Sequence, residues 1–240
     1  MTFGSLFAGI GGLDLGLERA GMECLWQVEI NDYATQVLER HWPGVRRHRD
    51  VRTFPPAGDW SVDLICGGFP CQDISYAGTG SGLQGSRSGL FYEAIRVVRL
   101  LEPQYVLLEN VSALLTRGLG DVLGTLAEIG YDAEWHCIPA SSIGAPHRRD
   151  RIFIMADSDR EGLQGWNGKG MSECTRERII GESSSLEGFR EQCSQWVTEP
   201  DVGRVAHGIP RRVDRLKCLG NAVVPQVAEF IGRELIRRIP

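Results

Sequence analysis

No stretch of this 240-residue chain approaches the ~20 consecutive apolar residues needed to cross a bilayer as a helix, so a helical membrane protein is not expected. The opening residues, MTFGSLFAGIGG, lack a basic stretch followed by an apolar one, which gives the expectation of a cytoplasmic protein without a secretory signal. The seven cysteines (24, 66, 71, 137, 174, 193 and 218) are odd in number and irregularly spaced, and none forms a Cys-x-x-Cys pair. That pattern argues against a disulfide framework and against a zinc site, so no metal is expected. Six of them read as small buried hydrophobes; Cys71 requires a separate argument. An excess of positive charge is also missing, since the net charge is −5. The basic residues are nonetheless clustered: residues 203–217 hold five against one acid, and residues 147–151 read His-Arg-Arg-Asp-Arg. A local basic face governs phosphate contact more than the global sum does, although such clusters also serve as ordinary solvated surface.

What is present is a regular alternation of short apolar runs and helical patterns. Strands are expected at 3–7, 23–30, 62–66, 105–109, 131–138 and 151–156, with a further one before Asp50. Helices are expected at 13–20, 32–41, 90–101, 121–129 and 225–239. The alternation predicts an α/β fold with a doubly wound, mostly parallel sheet. After Ala156 the composition turns to Gly, Ser, Glu and Arg with poor periodicity up to residue 203, marking a long loop or small subdomain. No internal repeat is visible.

Residues 7–12, Phe-Ala-Gly-Ile-Gly-Gly, lie between the first strand and the first helix. Glycines there let the backbone approach a ligand at a helix N-terminus. Glu29 follows Gly9 by 20 residues, at the end of the second strand, where an acid can accept both ribose hydroxyls of an adenosine. Asp14 stands where a dehydrogenase fingerprint would have its third glycine, which points away from that class. Asp50 is placed to reach an adenine amino group and reads equally well as a solvated loop acid.

The second cluster is chemical. Gly67-Gly68-Phe69-Pro70-Cys71-Gln72 follows a strand, and ligands of open α/β sheets sit outside the carboxyl ends of the strands. A thiolate presented there is a soft nucleophile suited to an electron-poor ring carbon. Glu109 ends the next strand and should face the same crevice, where a carboxylic acid can donate a proton to cytosine N3 as C6 is attacked.

Taken in order, FAGIGG at 7–12, PCQ at 70–72, ENV at 109–111, Arg149-Asp150-Arg151 and LGNAV at 219–223 resemble the motifs of the DNA cytosine-5 methyltransferases, over about 1–156 and 216–240. The resemblance implies a Rossmann-like S-adenosylmethionine-dependent fold, with a catalytic domain over 1–156, a small, irregular target-recognition region over 157–215 and a C-terminal return over 216–240. It implies cofactor contacts at Phe7, Ala8, Gly9, Ile10, Gly11, Gly12, Glu29, Ile30, Asp50, Val51, Pro70, Leu90, Asn221 and Ala222. Cys71 matches the nucleophile and Glu109 the acid at N3, while Arg149 and Arg151 match arginines that support the flipped base and the catalytic loop. Residues 72–89, rich in glycine, match a mobile loop that closes over DNA. Gln72, Ser75, Arg87 and His147 are the implied nucleic-acid contacts, Ser75 and Arg87 reading as readily as loop surface.

The implied activity is methylation of cytosine C5 in double-stranded DNA, of the kind found in restriction-modification systems, by a monomer that extrudes its target base. A tRNA-methylating branch of the superfamily shares PCQ and ENV but carries a Cys-Phe-Thr signature absent here. A catalytically silent homologue would not need Cys71, Glu109 and Arg151 together. His147 departs from the Gln common in the arginine motif, and residues 203–210 match the family poorly. Residues 157–203 are short for reading bases directly, which predicts a short or degenerate recognition sequence and salt-dependent binding.

Overall fold

A computed structural model describes residues 1–70, 89–158 and 211–238. Seven strands form one sheet in the order β3-β2-β1-β4-β5-β7-β6. They are β1 (Thr2–Leu6), β2 (Glu23–Val28), β3 (Arg46–His48), β4 (Leu64–Gly68), β5 (Tyr105–Val111), β6 (Asp132–Ile138) and β7 (Arg151–Asp157). The pairings from β3 through β5 are parallel, and β7 runs antiparallel to both β5 and β6. The mostly parallel, doubly wound sheet expected from the alternation is therefore the one observed, with β7 inserted between β5 and β6.

The helices in chain order are α1 (Gly12–Arg19), α2 (Asp32–His41), α3 (Gly89–Leu101), α4 (Leu114–Arg117), α5 (Leu119–Glu128), α6 (Arg212–Asn221) and α7 (Pro225–Arg238). One face of the sheet is covered by α3 and α5, which contribute Phe91, Val97, Val98, Val122 and Leu126 to the core. The other is covered by α1 and α7 through Leu13, Leu17, Val227, Phe230 and Ile231. β4 and β5 are buried along nearly their whole length, as strands covered on both faces must be.

Helix α6 was not expected, and the boundary between residues 215 and 216 falls inside it. Its apolar side chains Val213, Leu216 and Leu219 are 58–77% exposed, so it has none of the buried stripe by which an amphipathic helix is recognised. The cysteines also correct the sequence reading. Cys24 and Cys66 are buried as expected, whereas Cys137 is exposed and Cys218 only partly covered. No helix among the described residues is long and apolar enough to cross a membrane.

Asp14, in the first turn of α1, is completely buried. Its carboxylate accepts hydrogen bonds from Ser5 Oγ on β1 (3.0 Å) and Gln27 Nε2 on β2 (2.9 Å), tying the start of α1 to two strands. Burial nevertheless raises its pKa from 3.8 to about 6. The folded protein thus holds this proton more tightly than the unfolded chain does. The contribution to stability is complete below about pH 4 and is lost as the pH rises through about 6. Asp14→Asn should remove this dependence. Denaturant unfolding of both proteins should show the variant gaining on the wild type by up to roughly 3 kcal/mol between about pH 4 and pH 8. A stability difference that stays constant across that range would contradict the assignment.

Candidate active site

The carboxyl ends of five parallel strands lie along one edge of the sheet, and β7, running the other way, starts there. The turn after β1 is held by backbone bonds: Ala8 N–H donates to the Val28 carbonyl (3.1 Å) and Gly11 N–H to the Ala8 carbonyl (2.9 Å). Gly11 has φ 80° and begins α1 without any side-chain cap, leaving first-turn amides for a ligand. Phe7, at φ 54°, shares the left-handed region although it carries a side chain. Such strain concentrates at ligand sites.

Glu29 follows β2. One carboxylate oxygen accepts from Gly9 N–H and the other from Asn31 N–H, both at 2.7 Å. The carboxylate is aimed before any ligand arrives, and each oxygen keeps a further lone pair. Ile30 beside it is 59% exposed, an apolar surface at the same edge. Asp50 follows β3 and is held by Arg52, whose guanidinium donates to it at 2.6–3.1 Å. Those hydrogen bonds keep its carboxyl below the usual range. An aimed carboxylate, an apolar flank and a second carboxylate beside an uncapped helix start fit an adenosine-bearing cofactor. Leu90 and Phe7 pack against the same core cluster. Val51, next to Asp50, is buried in that core.

Glu109 lies near the end of β5, only 7% exposed, with Arg151 Nε 2.9 Å from Oε1. Burial lifts its pKa from 4.5 to about 7, opposed by the nearby cations of Arg151 and then Arg149. It is an acid that can both hold and release a proton near neutrality. Gly68 lies directly against it: a Cβ on Gly68 would come within 2.7 Å of Glu109 Oε2. Asn110, buried, donates from Nδ2 to the Phe69 carbonyl (3.1 Å). It thereby fastens β5 to the backbone that leads to Pro70. The sequence reading gave Asn110 no role, because its partner is 41 residues away.

The two arginines have different partners. Arg151 engages Glu109, whereas Arg149 donates to the carbonyls of Gly220 and Ala222 at 2.6 Å each, bringing Asn221 and Ala222 to this edge. His147 is exposed. Cys71, Gln72, Ser75 and Arg87 lie outside the described residues.

The sequence profile of the C-5 cytosine-specific DNA methylases matches residues 1–185. The chain is 36% identical over 163 residues to the type II methyltransferase M2.BsuMI of Bacillus subtilis, across 63% of this chain and 41% of that protein. It is 33% identical over 159 residues to the type II methyltransferase M.HhaI of Haemophilus parahaemolyticus, across 65% and 48%. The chain thus spans half or less of the length of these curated relatives. The crystal structure of the Entamoeba histolytica methyltransferase EhMeth shares the fold over 100% of this chain and 99% of that one, with a TM-score of 0.68 at 14% identity.

The electrostatics of Glu109 can be read directly. Carbon-13 NMR of the labelled glutamates should show one carboxyl titrating near 7, absent in Glu109→Gln. Arg151→Gln removes the largest influence that opposes burial, so the midpoint should move upward. A midpoint that moved downward, or one in the ordinary glutamate range in the wild type, would refute this description.

Proposed function

Because the chain belongs to the C-5 cytosine-specific DNA methylase family, we propose that it methylates C5 of a cytosine flipped out of duplex DNA, using S-adenosylmethionine, with Cys71 as covalent nucleophile. The observation that carries the reading is Glu109, a buried carboxyl group poised near neutrality against the Gly68 backbone, three residues before Cys71. When bound, the cofactor supplies an electrophilic methyl group on a sulfonium. The remaining work belongs to the chain.

The Cys71 thiolate forms a bond to C6. Ring electrons move toward N3, which takes the Glu109 proton, and C5 becomes nucleophilic enough to accept the methyl group. Loss of the C5 proton then expels the thiolate and restores the ring. Arg151 holds the Glu109 carboxyl in place and stabilises the carboxylate that results. Glu29 holds the ribose hydroxyls, with Ile30 and Asp50 beside the adenine. Residues 157–215, most of them outside the described residues, supply target recognition, and their shortness supports a short or degenerate site.

Four outcomes test this. Cys71→Ser should abolish methyl transfer while duplex binding persists, and 5-fluorocytosine at the target should leave a denaturation-resistant adduct with the wild type. An active enzyme that cannot be trapped would sink the covalent route. Glu29→Ala should weaken S-adenosylmethionine binding in calorimetry by on the order of tenfold or more, since charge-assisted hydrogen bonds are worth about 1.5–3 kcal/mol. Unchanged affinity would mean that the ribose is held elsewhere. Methyl transfer needs protonated Glu109 and the Cys71 thiolate together, so its pH profile should be bell-shaped, with a limb that moves in Arg151→Gln as the Glu109 midpoint does; a profile with neither limb moved would remove Glu109 from the acid role.

A further inference from the structure

Arg149 sits at φ 41°, a conformation residues with side chains rarely adopt, two residues before β7 begins. The preceding residue is anchored as well, since the Arg148 carbonyl accepts from Ala140 N–H at 2.6 Å. From this bend the Arg149 guanidinium crosses to the far end of the chain. One terminal nitrogen lies 2.6 Å from the carbonyl oxygens of Gly220 and Ala222 and 3.4 Å from that of Leu219. These carbonyls belong to the end of α6, where helix geometry leaves acceptors without intrahelical partners and the dipole favours a cation.

The junction that Arg149 holds meets the glycine turn one residue later. The Val223 carbonyl fills the space where Gly12 has no side chain, so a Cβ there would come within 2.4 Å of it. Val223 itself is buried, and the Val224 carbonyl accepts from Val227 N–H as α7 begins. A continuous set of contacts therefore runs from Arg149, through the carbonyls of Gly220 and Ala222, to Val223 and the start of α1. Arg151, two residues on, belongs to Glu109 instead.

We propose that Arg149 is a positioning residue: it latches the α6–α7 junction against the glycine turn, so that Asn221 and residues 7–12 hold the arrangement that binds S-adenosylmethionine. The proposal rests on the function proposed above and adds a division of labour between Arg149 and Arg151, one serving the cofactor side and the other the acid. The terminal nitrogen that makes these contacts carries two N–H groups, one for the Gly220 carbonyl and one for that of Ala222, at a reach that the shorter lysine side chain does not reproduce. Loss of the latch need not unfold the protein. The Gly220 and Leu219 carbonyls are exposed and can turn to water, and α7 keeps its buried face.

The test uses the full chain with Arg149→Ala and Arg149→Lys. S-adenosylmethionine binding is measured by calorimetry without DNA, and thermal unfolding is measured without cofactor. The expected result is at least a tenfold loss of affinity in Arg149→Ala and a smaller loss in Arg149→Lys. Millimolar guanidinium, but not equal potassium chloride, should restore part of the binding in the alanine variant. Glu109 should titrate at a higher pH in Arg149→Ala and near its wild-type position in Arg149→Lys, because only the first loses the nearby charge. Should the alanine variant fail to fold, the lysine variant carries the test: weaker binding at an unchanged unfolding temperature supports the latch. Normal binding by the wild type and by both variants overturns the latch alone. A wild-type chain that binds no S-adenosylmethionine overturns the functional reading together with it.

Discussion

A parallel sheet sends the carboxyl ends of its strands to one edge, and only a strand running the opposite way can bring its amino end to meet them. β7 does this beside β5. Its register pairs Glu109 with Phe153 and Val111 with Arg151, so Glu109 and Arg151 are diagonal neighbours on one face. The long guanidinium closes that diagonal to 2.9 Å. Had β7 been parallel, Arg149 and Arg151 would lie at the other end of the sheet, and neither the acid nor the C-terminal junction would have its cation.

The buried pair is better understood as a setting for Glu109 than as a source of stability. Removing both charges from water costs much of what their attraction returns. Burial and Arg151 act on the carboxyl in opposite directions, and the outcome is a group near neutrality instead of one locked in either state. Loss of one partner would leave the other charge buried and uncompensated. Asn110 works alongside this pair, fixing the backbone of Phe69 to β5.

The opposite half of the edge is built on different terms. Glu29 is oriented by two backbone amides, so its direction depends on the turn and on the start of α2 and not on another side chain. Asp50 is occupied by Arg52, an ion pair whose arginine is largely exposed. Such pairs contribute little, so a ligand can take the carboxylate at small cost. Beneath the turn, Asp14 ties α1 to β1 and β2 by the hydrogen bonds it accepts from Ser5 and Gln27, at the expense of a carboxyl that burial makes reluctant to ionise.

Much of this was legible in the chain itself. Alternating apolar runs and helical patterns determined the α/β class, and glycines at 9, 11 and 12 followed by Glu29 marked a turn and a carboxylate that meet at the strand ends, because turn chemistry and strand–helix periodicity are local properties. Glu109 could be assigned to the end of a strand for the same reason. Tertiary structure alone decided the rest. Asp14 looks like a surface acid in a helical pattern and is fully buried; α6 lacks a buried stripe; and Asn110 finds its acceptor 41 residues away. Arg149 and Arg151 are two residues apart in one motif, yet one reaches across 71–73 residues to α6 and the other to β5. Partners of that kind depend on strand direction and register, which arise only when distant segments pack together and are not encoded in any local pattern of residues.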